Sequence, residues 1–152
     1  MPSAAAFHPE LRSVARFLPR GVVGPRTLPL LRRIDARQRD RARAGVEVVR
    51  VGPVSCRLHR PPGGTDGPRP ALLWIHGGGY VIGTAAQDDA ICAELAQRLG
   101  IVVAAVDYRL APEHPFPTPL HDCHDALAWL AGHDEVDARR VAVGGASAGG
   151  GL

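Results

Sequence analysis

The stretch VAVGGASAGG, residues 141–150, places a G-x-S-x-G pattern directly after an apolar run. A serine on a tight turn from strand to helix needs small neighbours, because larger side chains would clash in so sharply bent a backbone. Ala146 and Ala148 meet that need on either side of Ser147. The stretch therefore predicts a strand that ends in a sharp turn carrying an exposed, nucleophilic serine.

A serine nucleophile needs a base that takes its proton and an acid that orients the base. In folds with this type of serine turn, the acid and the histidine base follow the serine in chain order. Only five residues follow Ser147 in the 152-residue sequence. We therefore expect the chain to be truncated after the turn and to lack both partners.

Two further apolar runs, Ala71–Ile75 and Ile101–Val106, precede Val141–Val143 and alternate with helical patterns. Continuous apolar runs are typical of strands buried on both faces, and alternation of strands with helices predicts a parallel sheet. Val46–Val51 and Ser55–His59 indicate a hairpin-like start to that sheet. The expected fold class is α/β with a mostly parallel sheet.

Two helices are expected between the apolar strands. A capping box of Thr84 and Gln87 predicts a helix from about Ala85 to Leu99, and a second helix should run from Thr118 to about Ala131. Their expected buried stripes are Ile91, Cys92, Leu95 and Leu99 in the first helix, and Leu120, Cys123, Leu127 and Leu130 in the second.

Residues 1–45 form a separate, basic segment. They hold ten of the 18 arginines against three acids, a net charge of +7, so the remaining residues carry −4. Prolines interrupt this segment, and Leu28–Arg43 is its longest helical candidate. Phe7 and Phe17 are its only aromatic residues, so we expect a helical arm with a solvated charged face and no nucleic-acid partner.

The sequence contains no lysine, which excludes a phosphate-binding P-loop and a lysine Schiff base. A nucleotide-binding half-domain is a weaker alternative, because Ala146 breaks the G-x-G-x-x-G pattern that would begin at Gly144. The segment His121–Asp125 contains metal-ligating residue types on one helix. The apolar stripe and the nearby helix N-terminus account for them, so no metal site is expected.

Three widely spaced cysteines lie in apolar surroundings, which favours reduced, buried thiols over a disulfide framework. No apolar stretch approaches the roughly 18 residues of a membrane span, and the N-terminus lacks the charged region of a signal peptide. We therefore expect a cytoplasmic protein without a membrane span. The cysteines are Cys56, Cys92 and Cys123.

The segment His76-Gly77-Gly78-Gly79-Tyr80 directly follows the strand Ala71–Ile75. Three consecutive glycines expose backbone amides to a ligand, because no Cβ stands in the way. A serine turn of this type needs one oxyanion donor from the residue after the serine and another from a loop after an earlier strand. The glycine segment has the composition and position for that second role.

These two motifs, together with DYRLAPEHPFP at residues 107–117, resemble the hormone-sensitive-lipase-like family of α/β-hydrolases. The resemblance covers about residues 46–152 and extends only loosely to residues 1–45. It implies a three-layer α/β-hydrolase fold, of which residues 46–152 form the N-terminal part and residues 1–45 a cap-like arm. It also implies a serine carboxylesterase or lipase that acts on small-molecule esters and needs no cofactor.

The resemblance implies a role for each matching residue. Ser147 corresponds to the nucleophile, and the amides of Gly78, Gly79 and Ala148 correspond to the oxyanion hole. His76 corresponds to a residue that braces the loop and not to the catalytic base. Oligomeric state does not follow from these motifs.

Asp107 ends a strand, but it precedes the serine and so lies in the wrong order for a catalytic acid. We expect it either to pair with Arg109 or to brace the backbone. Glu113 and His114 lie between prolines and are expected to shape the loop that lines the acyl pocket.

Two alternatives to an enzyme remain open. The resembling family includes a non-catalytic hormone receptor, so the chain could bind a small ligand without hydrolysing it. The chain could also be a non-functional fragment, because the strand Val141–Val143 would form an apolar edge without a following helix.

Overall fold

A computed structural model of the chain describes residues 8–11, 23–39, 43–63 and 67–152. Most of the expected arm lies outside these residues, apart from a short 3-10 turn at Pro9–Leu11 and one helix. In this part of the chain, no helix is both long and apolar enough to cross a membrane. The strands are β1 (Val46–Val51), β2 (Val54–His59), β3 (Arg69–Ile75), β4 (Val102–Asp107) and β5 (Val136–Gly145), and the α-helices are α1 (Leu28–Arg39), α2 (Asp89–Leu99) and α3 (Thr118–Ala131).

The five strands form one sheet in the order β1-β2-β4-β3-β5. β1 pairs antiparallel with β2, as the hairpin pattern predicted, and β2 pairs antiparallel with β4. β3 lies parallel to both β4 and β5. Ile75 is in register with Val106 on one side and with Gly145 on the other, so the carboxyl ends of three strands share one edge.

β4 lies at the centre of the sheet and is buried along its whole length. Its residues alternate between two apolar clusters, because successive side chains of a strand point to opposite faces. One face packs against α3 and the other against α2, which gives three layers. The α/β fold class is therefore confirmed. The packed residues are Val102, Ala104, Val106, Cys123, Ala126 and Leu130 on the α3 side, and Val103, Ala105, Cys92 and Ala96 on the α2 side.

The buried face of α2 differs from the predicted stripe. Ile91 and Leu99 are 43% and 61% exposed, whereas Asp89, Cys92 and Ala96 face the sheet. The reason is an ion pair across the layers, in which the guanidinium of Arg57 on β2 donates to both carboxylate oxygens of Asp89, at 2.8 and 2.7 Å. This pair sets the rotation of α2 about its axis and turns Asp89, Cys92 and Ala96, which are spaced i, i+3 and i+7, toward the sheet.

Helix boundaries also differ slightly from the prediction. The first predicted helix begins as a 3-10 turn, Ala85–Asp88, before α2. The second runs from Thr118 to Ala131 as predicted, but Leu120 is exposed and does not belong to its buried face. The described part of α1 ends at Arg39.

β5 is an edge strand of the described sheet. Val141–Val143 therefore forms the exposed apolar edge that was one expectation, and is not buried on both faces as its apolar run alone suggested. Val143 is 55% exposed, and the neighbouring Ala142 is exposed as well. The three cysteines are free and buried, as expected. Burial and the charge of Asp107 raise the pKa of the Cys56 thiol to about 12.

The buried Arg57–Asp89 pair supplies a test of the layer packing. We expect Asp89→Ala to lower the free energy of unfolding by about 3–5 kcal/mol, because it removes the carboxylate that binds the buried Arg57 guanidinium through two hydrogen bonds. Urea unfolding followed by circular dichroism measures this change. The control is Glu94→Ala, which breaks an exposed i,i+4 pair with Arg98 on the same helix and should cost less than about 0.5 kcal/mol. Equal losses in the two variants would contradict the assignment.

Candidate active site

Ser147 lies at the end of β5, on the turn that the sequence predicted. β5 ends at Gly145, and a 3-10 helix, Ser147–Gly151, begins two residues later. Ser147 is exposed and has φ 51°, in the left-handed region that non-glycine residues rarely adopt. A strained backbone of this kind projects a side chain out of the turn and is typical of functional sites.

The small residues around Ser147 are required by close backbone contacts. A Cβ on Gly149 would lie 2.1 Å from the Ile75 carbonyl oxygen, and a Cβ on Gly145 would lie 2.5 Å from the backbone of Gly149. The Ile75 backbone cannot move far, because Ile75 is paired with Gly145 in the sheet. The glycines of the G-x-S-x-G pattern therefore allow the 3-10 helix to pass directly over the end of β3.

The glycine segment after β3 touches the serine turn. The Ala146 N–H donates to the Ile75 carbonyl oxygen at 3.0 Å. A Cβ on Gly77 would lie 2.9 Å from the Ala146 carbonyl oxygen and 3.4 Å from Ser147 Cβ. Two motifs separated by about seventy residues in the sequence thus meet at van der Waals distance.

Gly78 and Gly79 have positive φ values of 132° and 61°, and residues 78–83 form a closed turn. The Gly78 carbonyl oxygen accepts from the N–H groups of Val81 and Ile82, at 3.2 and 3.1 Å. A Cβ on Gly78 would lie 1.9 Å from the Ile82 carbonyl oxygen, so this position requires glycine. Within the described residues, the Gly78 and Gly79 amides donate no hydrogen bond and are available to a ligand.

His76 is fully buried behind the glycine segment. Its ring stacks on Tyr108 with centroids 4.2 Å apart, and its Nδ1 lies 2.8 Å from the Gly77 carbonyl oxygen. The Tyr108 hydroxyl donates to the His76 carbonyl oxygen at 2.9 Å. Burial lowers the pKa of His76, which favours a neutral ring whose Nδ1–H donates to Gly77.

Asp107 braces the backbone, which was one of its two expected roles. Its Oδ1 accepts from the Ala85 N–H at 3.1 Å, and its other oxygen pairs with Arg39 of α1. The alternative pairing with Arg109 is wrong. Arg109 instead binds Asp122 of α3, with Nη2 2.7 Å from Oδ1.

The polar residues at positions 121–125 lie in different environments and do not form one site. Asp122 is buried and bound to Arg109, Cys123 lies in the apolar core, and His124 is exposed beside Asp125. Among the residues that the structure describes, no group of three or more His, Cys, Asp or Glu side chains could hold a metal ion.

Sequence reasoning missed the residues of α1 that reach the site. Arg32 pairs with Glu113, Asp35 accepts from the Gly83 N–H, and Arg39 pairs with Asp107. Their i, i+3, i+7 spacing places them on one helix face and could have indicated a shared contact surface. The spacing alone does not reveal which loops that surface meets.

The fold and the serine turn together define an α/β-hydrolase. Residues 72–152 match a family described as alpha/beta hydrolase fold. The chain belongs to this family and to its hormone-sensitive-lipase-like group.

Similar proteins include the ethyl acetate hydrolase of Pseudomonas putida, with 49% identity over 102 residues, covering 63% of this chain and 31% of that protein. The arylacetamide deacetylase of Oryctolagus cuniculus is 42% identical over 106 residues, covering 65% of this chain and 27% of that protein. The solved structure of a bacterial heroin esterase superimposes with TM-score 0.74 at 40% identity, covering 99% of this chain and 51% of that one. The chain thus spans about a third of the first relative and half of the solved structure.

The close approach of the 3-10 helix to β3 can be tested with two neighbouring glycines. We expect Gly149→Ala to lower the free energy of unfolding by about 1–3 kcal/mol, because its Cβ overlaps the Ile75 carbonyl. Gly150→Ala is the matched control, since its Cβ would lie 3.4 Å from the nearest atom, the Gly145 carbonyl oxygen. Thermal unfolding should separate the two variants, and equal melting temperatures would refute the predicted contact.

Proposed function

We propose that this chain belongs to a carboxylic ester hydrolase that uses Ser147 as its nucleophile. The observation that carries the proposal is the contact between the serine turn and the glycine segment, where a Cβ on Gly77 would lie 3.4 Å from Ser147 Cβ. An exposed serine next to a segment that contains unused backbone N–H groups supports the proposal. Such an arrangement suits a reaction in which negative charge develops on a carbonyl oxygen.

The proposed reaction begins when the Ser147 oxygen attacks the ester carbonyl carbon and its proton passes to a base. The carbonyl oxygen becomes an oxyanion, which the amides of Gly78, Gly79 and Ala148 stabilise, each contributing about 3 kcal/mol. The intermediate expels the protonated alcohol and leaves an acyl group on Ser147. Water then attacks the acyl carbon and releases the carboxylic acid.

The described residues include no histidine base that is hydrogen-bonded to Ser147. All seven histidines lie in the described part of the chain, and none hydrogen-bonds the Ser147 hydroxyl. His76 is buried, and its Nδ1 is engaged with the Gly77 carbonyl. We propose that His76 braces the glycine segment, and that this chain supplies the nucleophile and the oxyanion hole.

Small-molecule esters are the proposed substrates. The relatives include an ethyl acetate hydrolase and a heroin esterase, names that describe hydrolysis of small molecules. No step of the proposed reaction needs a metal ion or an organic cofactor. We further propose that residues 46–152 are the N-terminal part of the hydrolase domain and that residues 1–45 form a cap-like arm.

The role of Ser147 can be tested with p-nitrophenyl acetate. We expect slow transfer of one acetyl group to Ser147, detected by mass spectrometry of peptides. Steady-state hydrolysis should be well below the roughly 10 s⁻¹ typical of enzymes, because no histidine of the described residues is hydrogen-bonded to the serine. Ser147→Ala should abolish acetylation at this site. Ser55→Ala is the matched control and should leave it unchanged.

Two results would count against the proposal in different ways. Hydrolysis that is identical in the Ser147→Ala variant would remove the serine from the mechanism. A turnover rate typical of a complete enzyme, lost on Ser147→Ala, would show that a base is present after all.

The oxyanion hole can be tested with adjacent glycines. Gly78→Ala should slow acetylation of Ser147 by about 100-fold, because the overlap with Ile82 displaces a donor amide. Gly79→Ala should have a smaller effect, since open space surrounds its Cβ and only the positive φ opposes it. The acetylation rate at saturating ester measures both, and equal rates for the two variants would contradict the assignment of Gly78.

A further inference from the structure

α1 presents a charged face to the two loops that flank the proposed site. Arg32, Asp35 and Arg39 occupy positions i, i+3 and i+7 of this helix and therefore project from one side. Each of them contacts a residue at least 48 positions away in the sequence. These contacts connect α1 to the turn at residues 78–83, to the loop after β4 and to the end of β4.

Two of the contacts hold the turn that carries Gly78 and Gly79. The Gly83 N–H donates to Asp35 Oδ2 at 2.8 Å, and Arg32 Nε donates to the Val81 carbonyl oxygen at 2.9 Å. One side chain thus accepts from the turn and the other donates to it. Both backbone groups are partly buried, so water cannot easily replace these partners.

The same arginine also holds the loop after β4. The Arg32 guanidinium donates to the Ala111 carbonyl oxygen and to the Glu113 carboxylate. The Ala111 N–H in turn donates to the Tyr80 carbonyl oxygen at 2.9 Å, which joins this loop directly to the glycine turn. Arg32 therefore spans two loops that already contact each other.

The third contact fixes the far end of α1. Arg39 pairs with Asp107, whose second oxygen accepts from the Ala85 N–H at 3.1 Å. Ala85 lies two residues after Gly83. Asp35 and the Arg39–Asp107 pair therefore hold neighbouring parts of the loop between β3 and α2. The turn is thereby held from both α1 and β4.

The apolar side chains of α1 are at most partly buried. The helix has no buried residue, and Leu30 and Ile34 are 61% and 45% exposed. A helix in a protein normally docks through an apolar stripe. Here the charged face supplies directed contacts, and two of them end on the backbone of the turn at residues 78–83.

The turn is closed on itself, so its end and the donor amides at its start are in direct contact. The Gly78 carbonyl oxygen is bonded to the N–H groups of Val81 and Ile82, and a Cβ on Gly83 would lie 2.4 Å from the Gly77 carbonyl oxygen. Residues at the end of the turn thus touch those at its start. A displacement of Val81 or Gly83 must move Gly78 as well.

We propose that Arg32, Asp35 and Arg39 form a positioning clamp that holds the Gly78–Gly79 amides in the geometry needed for the oxyanion. This inference rests on the proposed function, because the position of the Gly78 and Gly79 amides matters to the reaction only if they bind the oxyanion. The three residues are positioning residues, since they contact the loops and not the ester. The clamp gives the helical arm a specific role in the reaction.

Hydrogen exchange of the whole chain tests the clamp without requiring catalysis. In Asp35→Ala, the amides of residues 81–83 should exchange about 10- to 100-fold faster, because a charge-assisted hydrogen bond is lost. Amides of β4 and α3 should keep their exchange rates. Asp35→Asn retains an oxygen acceptor for the Gly83 N–H and should restore most of the protection.

Arg33→Ala is the matched control for Arg32→Ala. Both variants remove one positive charge from α1, but Arg33 is exposed and lies about 100° around the helix axis from Arg32. Arg32→Ala should speed exchange in residues 80–83, whereas Arg33→Ala should not. Equal effects of the two variants, or faster exchange throughout the sheet in Asp35→Ala, would overturn the clamp.

Acetylation of Ser147 by p-nitrophenyl acetate tests the role of the clamp in the reaction. Asp35→Ala should lower the maximal acetylation rate about tenfold and change the half-saturating ester concentration by less than about twofold. Asp35→Asn should recover most of that rate. Faster exchange with an unchanged acetylation rate would overturn the positioning role.

The two hypotheses fail in distinguishable ways. If the unmodified chain is not acetylated at Ser147, the proposed function fails, whereas the exchange experiment still reports on the clamp. If the unmodified chain is acetylated and Asp35→Ala changes neither readout, the clamp fails and the proposed function stands.

Discussion

The hydrogen bond from the Ala146 N–H to the Ile75 carbonyl oxygen, 3.0 Å long, joins the two parts of the candidate site. It extends the parallel pairing of β3 and β5 by one step beyond the sheet, so the turns that follow both strands begin at the same point. The glycines at 77, 145 and 149 follow from this bond, because a Cβ at any of them would enter the backbone on the opposite side. The position of Ser147 relative to the amides at 78 and 79 is thus a consequence of strand register.

Several ion pairs and hydrogen bonds that join elements of the described fold are made by arginine, in a chain without lysine. The planar guanidinium binds a carboxylate through two parallel hydrogen bonds, which a lysine ammonium cannot do. Arg57 binds Asp89 in this way between the sheet and α2, and Arg109 holds Asp122 of α3. Arg32 instead divides its donors among two carbonyl oxygens and one carboxylate. These three arginines therefore join separate elements of the described fold.

The local elements were largely predictable, because each has a strong and short-range signal. Apolar runs identified β3 and β4, proline and glycine marked both ends of α3, and the small residues around Ser147 identified the turn. The errors concern side chains whose environment depends on distant partners. Ile91 and Leu99 were expected to be buried, but the Arg57–Asp89 pair rotates α2 and exposes them. Asp107 was expected to brace the backbone or to pair with Arg109; it braces the Ala85 amide as the first alternative predicted, but its ion pair is with the distant Arg39 of α1.

The sequence by itself determined the α/β class, the serine turn and the glycine segment, since these depend on residue size and on the spacing of apolar residues along one strand or helix. Only the tertiary structure decided that the two glycine-rich turns touch, that His76 faces Tyr108 instead of Ser147, and that α1 contacts the glycine turn through charged residues. The physical reason is the range of the interactions. Steric limits on a turn act between neighbouring residues, whereas ion pairs and backbone contacts join residues that only the order of strands in the sheet brings together.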